Sequence, residues 1–218
     1  MVYSLGSKPT LGHYAQQKTL DGDVFKIEVA DKTPDAGFDA NTASTYPARQ
    51  GRPIQPQHVF TKVEWQESGL VPDVETVCGL LVVSDRFREI VEKFEPGVHQ
   101  FLPVDYVDGH GAVLAKRYVF IACNRTDSVD RAHTTMILFK GMRWTPANDL
   151  VGWKPEEIPP AFDVKAKPKL VFNNAQIGGR HAWSDMFLIY GPYLSDALGA
   201  ALEAEHFTGI SLQKEEAV

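Results

Sequence analysis

The stretch that most constrains this chain is residues 80–104, where one hydrophobic period gives way to another and back again. Leu80-Leu81-Val82-Val83 is an unbroken aliphatic run, as a buried strand requires. Ser84 stands where a side-chain oxygen can cap a helix, and Asp85 suits the positive end of the helix dipole. Phe87, Ile90, Val91 and Phe94 then recur at helical spacing and form one apolar stripe. Arg88–Glu92 and Glu89–Lys93 stand four apart on the wet face, the spacing of helical ion pairs. Pro96-Gly97 stops the helix, and Val98 to Val104 returns as a strand that ends near Pro103.

A second unit of this kind is read near the C-terminus. Phe187-Leu188-Ile189-Tyr190 is its strand, Gly191-Pro192 opens its helix, and Leu194, Ala197, Leu198 and Ala201 repeat the stripe. Gly209-Ile210-Ser211-Leu212 is the return strand, and the alignment sets Ser84 on Gly191. Tyr118 to Ala122, Thr134 to Phe139 and Lys169 to Phe172 are strand-like, and the proline-studded residues 144–168 read as an extended surface connection. Residues 1–57 are broken by Pro34, Gly37, Pro47, Gly51, Pro53 and Pro56, with one alternating stretch, Phe25 to Val29. Val59, Thr61, Val63 and Trp65 line one face of a further alternating run. The expected class is α+β, with antiparallel or mixed sheets and two strand–helix–strand units over 58–218, preceded by a loop-rich N-terminal region over 1–57.

Composition narrows the function. With 44% apolar and 23% charged residues over 218 positions, disorder and coiled coil are poor explanations. Val77 to Val83 and Tyr118 to Cys123 fall far short of the ~20 apolar residues that span a bilayer. The first residues carry neither a basic start nor an apolar stretch, so the expectation is a soluble, cytoplasmic chain without a membrane partner. The net charge of -6 lies wholly within residues 61–110, where four bases stand against ten acids. Such a segment repels phosphate backbones, which argues against nucleic acid as a partner. Glu89, Glu92 and Glu95 read either as a face that meets a basic protein partner or as a solvated helix surface.

Few groups suggest chemistry. Phosphate-binding glycine loops, zinc-protease and serine-hydrolase signatures are missing from the sequence. Gly109-His110-Gly111 reads as a hairpin tip, and Asn124-Arg125-Thr126 as a glycosylation pattern without meaning in a cytosolic chain. Cys78 and Cys123 sit in apolar runs, as small hydrophobes do, and two thiols make neither a disulfide framework nor a four-thiolate zinc site. Asp127, Asp130 and His133 at three-residue spacing could share a helical face and hold a divalent ion, which would make the chain a small metal-assisted hydrolase. The simpler account is a loop in which the aspartates cap backbone N–H groups. Gly178-Gly179-Arg180-His181 with Asp185 reads as a β-hairpin with Arg180 and His181 facing solvent, or as an anion-binding turn. Trp144 and Trp153 flank the proline-rich connection, as packing residues or as partner anchors, and His13, His58, His99, His110 and His206 are scattered singly.

Several segments together resemble a bacterial immunity family whose members are encoded beside polymorphic toxins. Leu81-Val82-Val83-Ser84-Asp85-Arg86-Phe87-Arg88, followed by Val98-His99-Gln100-Phe101-Leu102-Pro103-Val104, is similar to its strand, Ser-Asp helix start and return strand. Tyr118 to Asn124 into Asp127-Ser128-Val129-Asp130 resembles its aliphatic strand and "V-D" turn, and Lys169 to Phe172 with Ile177 to Trp183 its C-terminal hairpin. Ile189 through Thr208-Gly209-Ile210 resembles its closing strand, helix and "T-G-hydrophobic" signature, although Gly191-Pro192 stands where a second Ser-Asp start is expected. The resemblance covers about residues 60–213. It implies a protector that binds a cognate toxin protein, with no catalytic residues, cofactor or metal to carry over.

Overall fold

The computed structural model describes residues 1–10, 12, 14–33, 35, 51–150, 162, 163 and 165–218. His13, Pro34, Gly37, Pro47, Trp153 and the middle of the proline-rich connection lie outside them. The first part of the chain supplies β1 (Val2–Ser7), β2 (Gln17–Thr19), β3 (Lys62–Trp65), β4 (Val74–Val77) and β5 (Leu80–Ser84). Then come α1 (Asp85–Phe94), β6 (Gln100–Val107), β7 (Val113–Ile121), β8 (Arg125–Thr126), β9 (Ile137–Phe139) and β10 (Arg143–Thr145). The last part holds β11 (Val171–Phe172), α2 (Asn174–Ile177), β12 (Ala182–Asp185), β13 (Tyr193–Ser195), α3 (Asp196–Ala204) and β14 (Ile210–Ala217). One sheet runs β2-β3-β6-β7-β5-β4, a second β11-β14-β1-β13-β12-β8, and β9 pairs with β10. The expected α+β class with mixed sheets is what forms.

Local chemistry starts α1 as anticipated. Ser84 Oγ accepts the Phe87 N–H at 3.4 Å, and Phe87, Ile90 and Val91 are buried. The surface pairs differ from the expected ones. Arg88 reaches back to Asp85 (2.7 Å) and lies over the Tyr118 ring, while Arg86 pairs with Glu89 and with Glu205 of α3. Strand β6 also runs through Pro103 to Val107. Asp105 N–H points toward β3 and donates to Thr61 O, so the N–H that Pro103 lacks would face the same side, before β3 begins.

The second unit starts later than its sequence suggested. Asp185 Oδ1 captures the N–H groups of Phe187 and Leu188 at 2.8 and 3.1 Å, so the apolar stretch 187–190 turns instead of extending as a strand. The strand is β13, and Ser195-Asp196 is the second Ser-Asp helix start: Ser195 Oγ accepts the Leu198 N–H at 3.2 Å. Aligned on the two capping serines, the sheets share one design. β3-β6-β7-β5-β4 corresponds to β11-β14-β1-β13-β12, with the same parallel or antiparallel sense at every step. Tyr118 lies opposite Val83 in one half as Tyr3 lies opposite Leu194 in the other. The strand that follows the unit in the first half, β7, is replaced in the second by β1 from the chain's beginning.

Helices α1 and α3 pack between the sheets, where Phe87, Val91, Leu198 and Leu202 share a core with Tyr3 and Phe120. A second core joins Trp65, Val82, Tyr106 and Val119 to Ile27, Ile54 and Phe60, and a third joins Val2, Trp183 and Tyr193 to Trp144 and Phe172. The described residues among 1–57 therefore contribute to both sheets and to all three cores. The strand expected at Phe25 to Val29 is instead a 3-10 turn at Val24–Lys26, with Phe25 72% exposed and only Val29 bridging to Ile54.

Candidate functional site

Of the three glutamates expected on a partner-facing surface, the structure turns one inward. Glu95 follows α1 as its C-cap with non-helical dihedrals (φ -140°, ψ 74°), so its side chain leaves the helical phase and is only 11% exposed. Its Oε2 accepts from His99 Nε2 (2.8 Å) and Ala182 N (2.7 Å), and Oε1 from Asn124 Nδ2 (2.9 Å). The Cys123 N–H donates to His99 Nδ1, which places the ring proton on Nε2, toward Glu95. Burial pushes the Glu95 carboxyl up, but His99 and the backbone N–H groups of His181 and Ala182 outweigh it and hold it at about 2. Glu95 thus fastens α1 to the second sheet. Glu89 stays exposed beside Arg86, and Glu92 accepts the Gly97 N–H at 3.1 Å.

A matching fastening explains the Thr208-Gly209 signature. The Val74 N–H donates to Thr208 O, and Gly209 sits against the same strand with a φ of +76°. A Cβ there would lie 2.1 Å from Val74 O, so only glycine fits. Val74 and Ala182 occupy equivalent places in the two sheets, opposite Val83 and Leu194. Each gives its N–H to the opposite half.

The triad read as a metal set does not converge. Asp127 pairs with Arg131 at 2.7 Å, while Asp130 Oδ1 accepts the Ala132 and His133 N–H groups and the His133 ring. His133 and Asn173 hold the Asp130 carboxyl down at about 2. This is the capping loop of the simpler account, and no cluster of three His, Cys, Asp or Glu suited to a metal occurs among the described residues. Asp185 is likewise a structural anchor. It binds Ser128 and the turn after β12, and burial raises its pKa even against those hydrogen bonds.

The expected hairpin at Gly178-Gly179 is the end of α2, with Gly178 as its left-handed cap. Arg180 donates to Ile177 O, and His181 packs on Phe94 with Nδ1 2.9 Å from Ser195 Oγ. Cys78 sits exposed in the two-residue turn between β4 and β5 and not within a strand, whereas burial pushes the Cys123 thiol up to about 11. Trp144 packs in the third core.

Sequence reasoning missed Arg52 and Arg125. Both converge on Asp35 in the lining of an open pocket of about 390 Å³, and nothing local in Gly51-Arg52-Pro53 or Asn124-Arg125-Thr126 signals it. Gly51 presses on Ser184 and Asn124 O, where a Cβ would lie 2.7 and 2.9 Å away, and this contact seats Arg52 beside the strand that carries Arg125.

Compared with known families, the chain matches the model of an immunity protein family, Imm11, over residues 6–217. No curated protein matches it.

Proposed function

We propose that this chain, which belongs to the Imm11 immunity protein family, is a cytoplasmic protector of a polymorphic toxin system that neutralises a cognate toxin by covering its surface one to one. The extent of the family match carries the reading, since it takes in both sheets and their junction and not one short motif. The polar clusters are in keeping with a binding scaffold: Glu95, Asp130 and Asp185 each close on backbone N–H groups. No helix among the described residues is long and apolar enough to cross a membrane. Glu89 and Glu92 on the outer side of α1 are proposed to meet a basic part of the toxin, without Glu95.

The test is co-expression with the toxin domain encoded beside this chain's gene. The expected results are restored growth and an equimolar complex on size exclusion with light scattering. Toxicity that persists, with the two proteins eluting separately, would overturn the proposal.

A further inference from the structure

Arg52 and Arg125 share one carboxylate. Asp35 Oδ2 accepts from Arg52 Nη2 at 2.9 Å and from Arg125 Nε at 2.7 Å, and its Oδ1 accepts from Arg125 Nη2 at 3.1 Å. The two arginine side chains are 11% and 9% exposed, whereas Asp35 is 30% exposed. Arg52 Nη1 is held by the carbonyls of Asp31 and Thr33, and its buried Nε has no acceptor. Arg125 is fixed by β8, which pairs with β12 of the second sheet.

Taking a guanidinium out of water is costly unless its donors are met. Here two buried guanidinium groups turn toward an open pocket, and the group they hold is the most exposed of the three. Guanidinium forks match carboxylates in planar, two-bonded geometry, and Asp35 already demonstrates that match. Arginines seated in well-packed, desolvated pockets are frequent anchors of protein interfaces.

We infer that this pocket is an anchoring point for an acidic side chain of the toxin, whose carboxylate takes the place of Asp35 between Arg52 and Arg125. The inference rests on the immunity reading above and adds the chemistry of one contact. Asp35 acts as an internal stand-in that pairs with both cations in the free protein.

Two measurements on the full chain test it. The first needs no toxin. Sodium acetate should raise the unfolding midpoint of Asp35→Ala above its value in sodium chloride at equal ionic strength, and the double variant Asp35→Ala, Arg52→Met should lose that gain. Equal midpoints for Asp35→Ala in the two salts would overturn the carboxylate site. The second uses the toxin domain encoded beside the gene. Arg125→Lys should bind it at least about tenfold more weakly, and Asp35→Asn should bind it more tightly, because the competing carboxylate is gone. A misfolded variant cannot produce that gain. Wild-type affinity in Asp35→Asn would overturn the anchor. Failure of the wild-type chain to bind the toxin domain would overturn the immunity reading and the toxin as occupant, while the acetate comparison would still judge the pocket.

Discussion

Asp73 and Thr208, separated by 135 positions, cap each other. The Asp73 N–H donates to Thr208 Oγ1 at 2.9 Å, while Thr208 N and Oγ1 donate to Asp73 Oδ2 at 3.0 and 2.7 Å. This reciprocal pair joins the loop before β4 to the loop before β14, where Gly209 permits the backbones to touch. Glu95 makes the equivalent connection from the other half. The two sheets are thus tied at two equivalent strands by different chemistry, an exposed aspartate–threonine exchange at one and a largely buried glutamate at the other.

Thr208→Val removes the hydroxyl half of the Asp73 exchange and should cost about 1–2 kcal/mol in urea unfolding. Asp73→Ala should cost a similar amount, and the double variant less than their sum. Strict additivity would mean that the pair does not act as a unit.

Glu95 carries a pH signature. Its folded-state pKa, about 2, lies below the usual value of 4.5, so its stabilisation is present above about pH 4.5 and fades as the pH falls toward 2. Glu95→Gln should destabilise the protein by roughly 2–3 kcal/mol at pH 7 and flatten the acid limb of the stability curve. An unchanged acid limb would separate Glu95 from acid unfolding.

Glu75 predicts the opposite sign. Burial pushes its carboxyl up to about 7, with the Tyr106 hydroxyl and the Arg117 guanidinium pulling the other way. Its Oε1 is buried without a hydrogen-bond partner. Between about pH 4.5 and 7 the unfolded chain releases this proton while the folded chain keeps it, so wild-type stability falls across that window. Glu75→Gln should gain relative to wild type as the pH rises through that range, by of order 2 kcal/mol, and hold the gain above it. A difference that stays the same from pH 4 to pH 8 would assign the effect to packing.

Glu89 and Glu92 test the charged side of α1. Reversing both to Lys should slow association with the toxin domain and weaken its dependence on salt, with little change in dissociation. Unchanged association rates would remove this helix from the interface.

What could be read in the sequence is what short-range chemistry decides. Ser84, Asp85 and the stripe of Phe87, Ile90 and Val91 specify a capped amphipathic helix because cap and period act within a few residues. The α+β class followed from those periods. Tertiary structure alone decided the rest. Tyr193–Ser195 is too short for a period to show, and Phe187 to Tyr190 looks like a strand until Asp185 captures its N–H groups. Strand β1 finds its place between β13 and β14, whose residues lie at the far end of the chain, a pairing no local pattern encodes. Glu95 left the surface because the helix ends there and the free chain turned its carboxylate toward His99 and Ala182. Arg52 and Arg125 acquired their shared aspartate in the same way, since charges distant in sequence become neighbours only when packed sheets bring them out of water together.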